Sequence, residues 1–215
     1  MRMKIVLLFT AIFMVLLCCS GQEKSGSRDQ DIFMVVLDPA HGGEDTGAVN
    51  DSGAAEKDLA LLLAECIRNN CSGKGIKVEL LRTEDVLMTL DERLKRISEM
   101  DADLLLSIHT DSSPDKTDRG ISMFHRKGDS AGLKFCAGLK SRLANIAAVN
   151  DINYGEAGLR LLENSAVPAV VIEFGNIQSS DEMKLVGSDE GRKALGSAVF
   201  AAIEEYRGDV AVKKK

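Results

Sequence analysis

Short apolar runs alternate with amphipathic stretches along most of this chain. Phe33 to Leu37, Leu104 to Ile108 and Ala169 to Ile172 are nearly continuous apolar runs. Ile76 to Leu81 and Gly120 to Phe124 are broken by single polar residues. Segments of this length, bounded by turn or polar residues, predict strands, and the continuous ones predict strands buried on both faces. Between them the apolar spacing changes from two to about four. Leu59, Leu62, Leu63, Cys66 and Ile67 share one face of a helix opened by Glu56 and closed before Gly73-Lys-Gly75. Leu87, Leu90, Leu94 and Ile97 define a second helix, with Asp91, Glu92, Arg93, Lys95 and Arg96 on its wet face. Ala131 to Ala147 and Gly191 to Tyr206 are two more.

Strands alternating with helices imply an α/β fold, in which a single domain builds a mostly parallel, twisted sheet covered by helices on both faces. In open sheets of this kind, ligands sit outside the carboxyl ends of the strands. Three of the apolar runs end at residues able to bind or work a metal. The first leads into Asp38-Pro39-Ala40-His41-Gly42-Gly43, the second stops at His109 and the third at Glu173. The chain has three histidines, and two of them stand at these ends.

His41, between Pro39 and a glycine pair, belongs to a tight turn. Glu56, fifteen residues later, opens a helix, where a carboxylate also suits the helix dipole. Together with His109 these residues form the two-imidazole, one-carboxylate set of a catalytic zinc site, leaving a fourth position for water. Glu173 supplies a further carboxylate able to take a proton from water and return it to a leaving amine. That chemistry hydrolyses amides.

Composition narrows the possibilities. A formal net charge of −6 gives no basic surface for nucleic acid, and the absence of Trp argues against base stacking. Cys66, Cys71 and Cys136 form no CxxC pair and read as buried free thiols. Met1 to Lys4 is a charged start, and Ile5 to Cys19 is an apolar run of 15 residues, short of the roughly 20 that span a bilayer. Residues 1–19 therefore read as a signal peptide. Its end, Val15-Leu-Leu-Cys-Cys-Ser20, resembles a lipobox, with Cys18 or Cys19 as the lipidated residue. Residues 20–31 are polar and Gly/Ser-containing, a flexible tether, and residues 32–215 form the catalytic domain. The expected location is the bacterial cell envelope, as an exported, lipid-anchored protein facing the periplasm or cell wall. Membrane contact is expected only through the N-terminal lipid or signal segment.

The motifs resemble those of the zinc-dependent N-acetylmuramoyl-L-alanine amidases, the amidase-3 family. Leu37-Asp-Pro-Ala-His-Gly-Gly43 with Asp45 and Gly47 is similar to its hydrophobic-D-x-G-H-G-G-x-D-x-G opening. Glu56-Lys-Asp-Leu59 resembles its E-K-x-x-N/L segment, and Arg82-Thr-Glu-Asp85 with Leu90 and Arg93 resembles T-R-x-x-D…L-x-x-R. Ala102-Asp103 through Ser107-Ile-His109 is similar to A-D-x-x-x-S-I-H, and Pro168 through Gly175 to P-A-x-L-x-E-x-G. The five matches occur in family order.

The resemblance implies that one zinc ion is held by His41, Glu56 and His109, with Glu173 at the catalytic glutamate. It implies cleavage of peptidoglycan, or its fragments, between N-acetylmuramic acid and L-alanine of the stem peptide. A zinc peptidase or deacetylase on the same sheet, or a peptidoglycan-binding pseudoenzyme, are the alternatives, and these residues do not reveal whether an activator protein takes part. Ala40 stands where the family has Gly, Leu81 where it has Thr, and Thr110-Asp111 where it has A-N. The last change puts Asp111 near the metal as a candidate substrate contact. Arg82 is a second candidate, for a substrate carboxylate, its alternative being a surface pair with Asp85 or Glu84. Arg160 is a third, as a groove residue or an ion-pair partner. No insertion long enough to plug the zinc lies between Gly120 and Gly132.

Overall fold

The computed structural model describes residues 32–71, 73, 75–111, 120–149 and 151–213. The expected signal peptide and tether, with the cysteines at 18 and 19, lie outside the described residues. The six strands are β1 (Phe33–Pro39), β2 (Ile76–Leu80), β3 (Leu104–Asp111), β4 (Ile121–His125), β5 (Ile152–Glu156) and β6 (Ala169–Asn176). The described helices are α1 (Glu56–Asn70), α2 (Leu90–Glu99), α3 (Ser130–Leu143), α4 (Arg160–Asn164), α5 (Ser180–Gly187) and α6 (Asp189–Lys213). None of them is long and apolar enough to cross a membrane.

The sheet order is β2-β1-β3-β6-β4-β5. Pairings from β2 to β6 are parallel, β4 lies antiparallel to β6, and β5 runs parallel to β4. The expected parallel sheet is thus a four-strand parallel block with a reversed pair at one edge. The reversal matters for the site, because it places the start of β4, not its end, beside the carboxyl ends of β3 and β6.

Side chains in a strand alternate between faces, so an unbroken apolar run must feed two cores. Val35 and Leu37 of β1, Leu104, Leu106 and Ile108 of β3, and Val170, Ile172 and Phe174 of β6 pack into the larger core. That core also takes Leu63 and Ile67 of α1, Phe135 and Leu139 of α3, and Leu195, Val199 and Ile203 of α6. The intervening Val36, Leu105 and Val171 face the smaller core, with Ile97 of α2 and Leu161 and Leu162 of α4. Helices on both faces are therefore required by the strand composition, and both faces have them.

The second helix departs from its expected form in two ways. Thr89 is an extended N-cap whose hydroxyl accepts from the Glu92 N–H, while the Glu92 carboxylate accepts from the Thr89 N–H. This capping box fixes the start at Leu90 and leaves Leu87 outside the helix and exposed. Arg93, expected on the wet face, is buried. The physical reason is a buried carboxylate, Asp38, which takes a charge-assisted bond from it. In α1, Leu62 is exposed while Leu59, Ala60, Leu63 and Ala64 carry the contact. Gly120 to Gly132 holds β4, a turn and the start of α3, with no inserted helix.

Candidate metal centre

β1 ends at Pro39, and its ladder with β3 continues for one more bond, from the Ala40 N–H to the Ile108 carbonyl at 3.1 Å. The chain then turns through three consecutive residues of positive φ: His41 at 59°, Gly42 at 130° and Gly43 at 61°. For a residue with a Cβ, the left-handed conformation costs about 1–2 kcal/mol, so the surroundings must impose it on His41. Gly42 is required for a second reason. A Cβ there would lie 2.2 Å from the Val86 carbonyl oxygen. The turn closes by paired Gly42 and Asp45 backbone bonds and is tied from outside by Asp85, which accepts from the Gly43 N–H at 2.7 Å. Lys57 Nζ bridges the Gly43 carbonyl at 2.8 Å and the Asp85 carboxylate at 2.6 Å.

Glu56 is the first residue of α1 and only 4% exposed. Its Oε1 lies 3.0 Å from His109 Nδ1 and accepts from the Thr110 N–H at 3.1 Å. Its Oε2 lies 3.1 Å from His41 Nε2 and accepts from the Ala48 N–H at 3.1 Å. The Asp45 carboxylate holds the other His41 nitrogen, Nδ1, at 2.9 Å. The two imidazoles meet edge to face, their centroids 5.4 Å apart. Gly47 closes the back of this cluster, where a Cβ would lie 2.6 Å from both Glu56 Oε2 and the His41 ring.

The electrostatics follow from this crowding. Burial acts to raise the Glu56 carboxyl, but the bonds from His109 and then His41 outweigh it and hold the group far below the usual carboxylate range. The Glu56 bond raises His41 above the ordinary imidazole value, against the opposing effect of burial and with help from Asp45. His41, Glu56 and His109 each offer one ligand atom, all within 4.8 Å of one another. Two ring nitrogens facing one ionised carboxylate is a donor set that a divalent cation satisfies, so these residues fit a zinc ion.

Glu173 stands beside this cluster. It pairs in register with His109 of β3 on one side and Ser122 of β4 on the other, and it is half-buried. A groove of about 570 Å³, lined in part by Asn50, Ser52, Gln178 and Met183, opens next to the loop leading into Glu56. Gln178 Nε2 ties its two walls by donating to the Val49 carbonyl at 3.1 Å.

The other sequence candidates fall elsewhere. Arg82 is 3% exposed and donates to the carbonyls of Pro39, Ala40, Lys57 and Glu84. Both expectations for it are corrected: neither a surface pair nor a free edge for a substrate carboxylate remains when four backbone oxygens occupy the guanidinium. Arg160 is exposed on α4, 3.7 Å from the exposed Asp91. The backbone of Asp111 ends β3 opposite Asn176, and its side chain lies outside what the structure describes. His125, the third histidine, is the buried last residue of β4, with Nδ1 3.0 Å from the Arg126 carbonyl. Asp45 received no role from the sequence, although it stands within the quoted motif four residues after His41.

Residues 35–205 match the family model described as N-acetylmuramoyl-L-alanine amidase. The chain belongs to the N-acetylmuramoyl-L-alanine amidase family. Among relatives, the uncharacterized protein YqiI of Bacillus subtilis (strain 168) is 29% identical over 174 residues, covering 80% of this chain and 84% of that protein. The N-acetylmuramoyl-L-alanine amidase AmiA of Escherichia coli (strain K12) is 25% identical, covering 86% of this chain and 78% of AmiA. Among solved structures, an N-acetylmuramoyl-L-alanine amidase from Clostridium difficile 630 superposes with a TM-score of 0.78 at 27% identity, covering 83% of this chain and 98% of that one. The matched span contains every residue of the amidase-family centre described above, from His41 to Glu173.

Proposed function

We propose that this chain hydrolyses the amide bond between N-acetylmuramic acid and L-alanine of the peptidoglycan stem peptide, with one zinc ion held by His41, Glu56 and His109. The observation that carries the reading is the bracketing of one buried carboxylate by two imidazole nitrogens, within a chain of the amidase family. Zinc bound there supplies Lewis-acid polarisation of the scissile carbonyl and an acidified water. The protein's own part begins with Asp45, which occupies His41 Nδ1 and so presents Nε2 to the centre. Glu173, in register with His109, takes the proton of the attacking water and delivers it to the departing L-alanine amine. Asp111, whose backbone ends β3, is the proposed substrate contact.

Peptidoglycan lies outside the cytoplasmic membrane, which agrees with residues 1–19 as an export signal and with Cys18 or Cys19 as a lipid attachment point. Metal removal tests the proposal. Dialysis against a chelator should abolish release of stem peptides, and zinc should restore it with about one bound ion per chain by elemental analysis. Full turnover by metal-free protein would overturn it.

A further inference from the structure

We infer that Arg93 is a positioning residue for the metal centre, holding His41 in its left-handed conformation and anchoring the Asp38 carboxylate that joins β1 to β3 just ahead of the two histidines. The inference rests on His41 and His109 being metal ligands, as proposed above.

Arg93 lies on α2, an element that supplies no ligand. Arg93 is 7% exposed, and its guanidinium reaches the β1 turn. Nη2 donates to the His41 carbonyl at 2.7 Å, Nη1 to the Pro39 carbonyl at 2.9 Å, and Nε to the Met88 carbonyl at 3.2 Å. The turn at His41 carries its carbonyl out of the sheet ladder, and Arg93 is the donor that meets it. Arg82 meets the carbonyls of Pro39 and Ala40, at 3.1 and 2.8 Å. Three successive carbonyls at the exit of β1 are therefore held by buried guanidinium groups rather than by strand partners.

The charge of Arg93 is answered by Asp38, 2% exposed, which bonds to Nη1. Asp38 also accepts from the hydroxyl of Ser107, fully buried, at 2.9 Å, and the two residues are register partners across β1 and β3. Asp38 precedes His41 by three residues and Ser107 precedes His109 by two. One buried carboxylate thus joins the two histidine-bearing strands just before their ligands, and Arg93 returns from that carboxylate to the backbone of His41. A lysine could balance the charge of Asp38, but it lacks the planar fork that reaches several acceptors at once.

The test is zinc affinity, measured by competition with a chromogenic chelator on full-length Arg93→Lys, alongside circular dichroism of the metal-free protein and the visible spectrum of the cobalt-loaded form. The expected result is a folded variant whose zinc affinity falls about 10- to 100-fold, the usual effect of losing a partner behind a metal ligand, with a changed cobalt spectrum. A folded variant with wild-type affinity and spectrum would overturn the positioning role, even if its melting temperature were lower. Should Arg93→Lys fail to fold, Ser107→Ala removes only the hydroxyl that links Asp38 to β3. Zinc affinity lowered several-fold in that variant would support the inference, and unchanged affinity would refute it. Wild-type protein that binds no zinc, or binds it equally after His41→Ala, would instead bring down the metal-site reading and this inference with it.

Discussion

Glu56 shows how one side chain can meet several demands at once. As the first residue of α1 it places negative charge at the positive end of the helix. Its two oxygens then divide the work, one facing His109 and the Thr110 amide, the other facing His41 and the Ala48 amide. Glu173 has a different setting, half-buried on a strand between His109 and Ser122. Its substitution separates proton transfer from metal binding. Glu173→Gln should lower turnover by about 10²- to 10⁴-fold, the range for loss of a general acid–base group, while elemental analysis finds zinc unchanged. Loss of zinc together with activity would make Glu173 part of the metal shell. The three candidate ligands were legible in the sequence because His41 and His109 end apolar runs and Glu56 begins an amphipathic one. Arg93 was not. Its charge groups it with Asp91, Glu92, Lys95 and Arg96, yet it lies three residues from Leu90 and four from Ile97, beside the apolar face, and the buried Asp38 of β1, 55 residues earlier in the chain, draws it inward. Arg82 misled for a similar reason, since backbone carbonyls leave no trace in a sequence.

Elements buried on both faces were the easiest to read. β1, β3 and β6 carry apolar runs that feed both cores, so their composition alone marks them as central strands. β5 gave no such signal. It lies at the edge of the sheet, and its five residues Ile152–Glu156 are all exposed or half-buried, so neither face carries an apolar set to mark it. The direction of β4 and β5 was equally hidden, because a strand's sense relative to its neighbours depends on where the connection returns it. α4, at five residues, and α5, at eight, are too short to display helical periodicity. The start of α2 shows the opposite case. Thr89 and Glu92 are a readable capping box, and giving it more weight than the apolar spacing of Leu87 places the boundary correctly.

The two cores differ in size, and the larger one holds two buried thiols. Cys71 and Cys136 are free and packed against it, and burial pushes each thiol up to about 12, with Glu204 and Asp129 adding to the effect respectively. The folded state thus favours the protonated thiol. That contribution to stability is full below the unfolded thiol value of about 8.5 and is lost as pH rises toward 12. Iodoacetamide at pH 8 should therefore leave Cys71 and Cys136 unlabelled in native protein and label both on unfolding, and the melting temperature should fall between pH 9 and pH 11, approximate bounds set by those values. Rapid native labelling of Cys136 would contradict this core. The larger question is what the molecule does with the site its sheet assembles. Three strand ends, those of β1, β3 and β6, and one helix start bring two histidines and two glutamates to one end of the sheet, in a chain that belongs to an amidase family. The most direct test is mass spectrometry of the products released from purified sacculi by zinc-loaded protein. Stem peptides beginning with a free L-alanine amine, absent from the Glu173→Gln reaction, are the predicted result; intact sacculi, or peptides cut at any other bond, would contradict it.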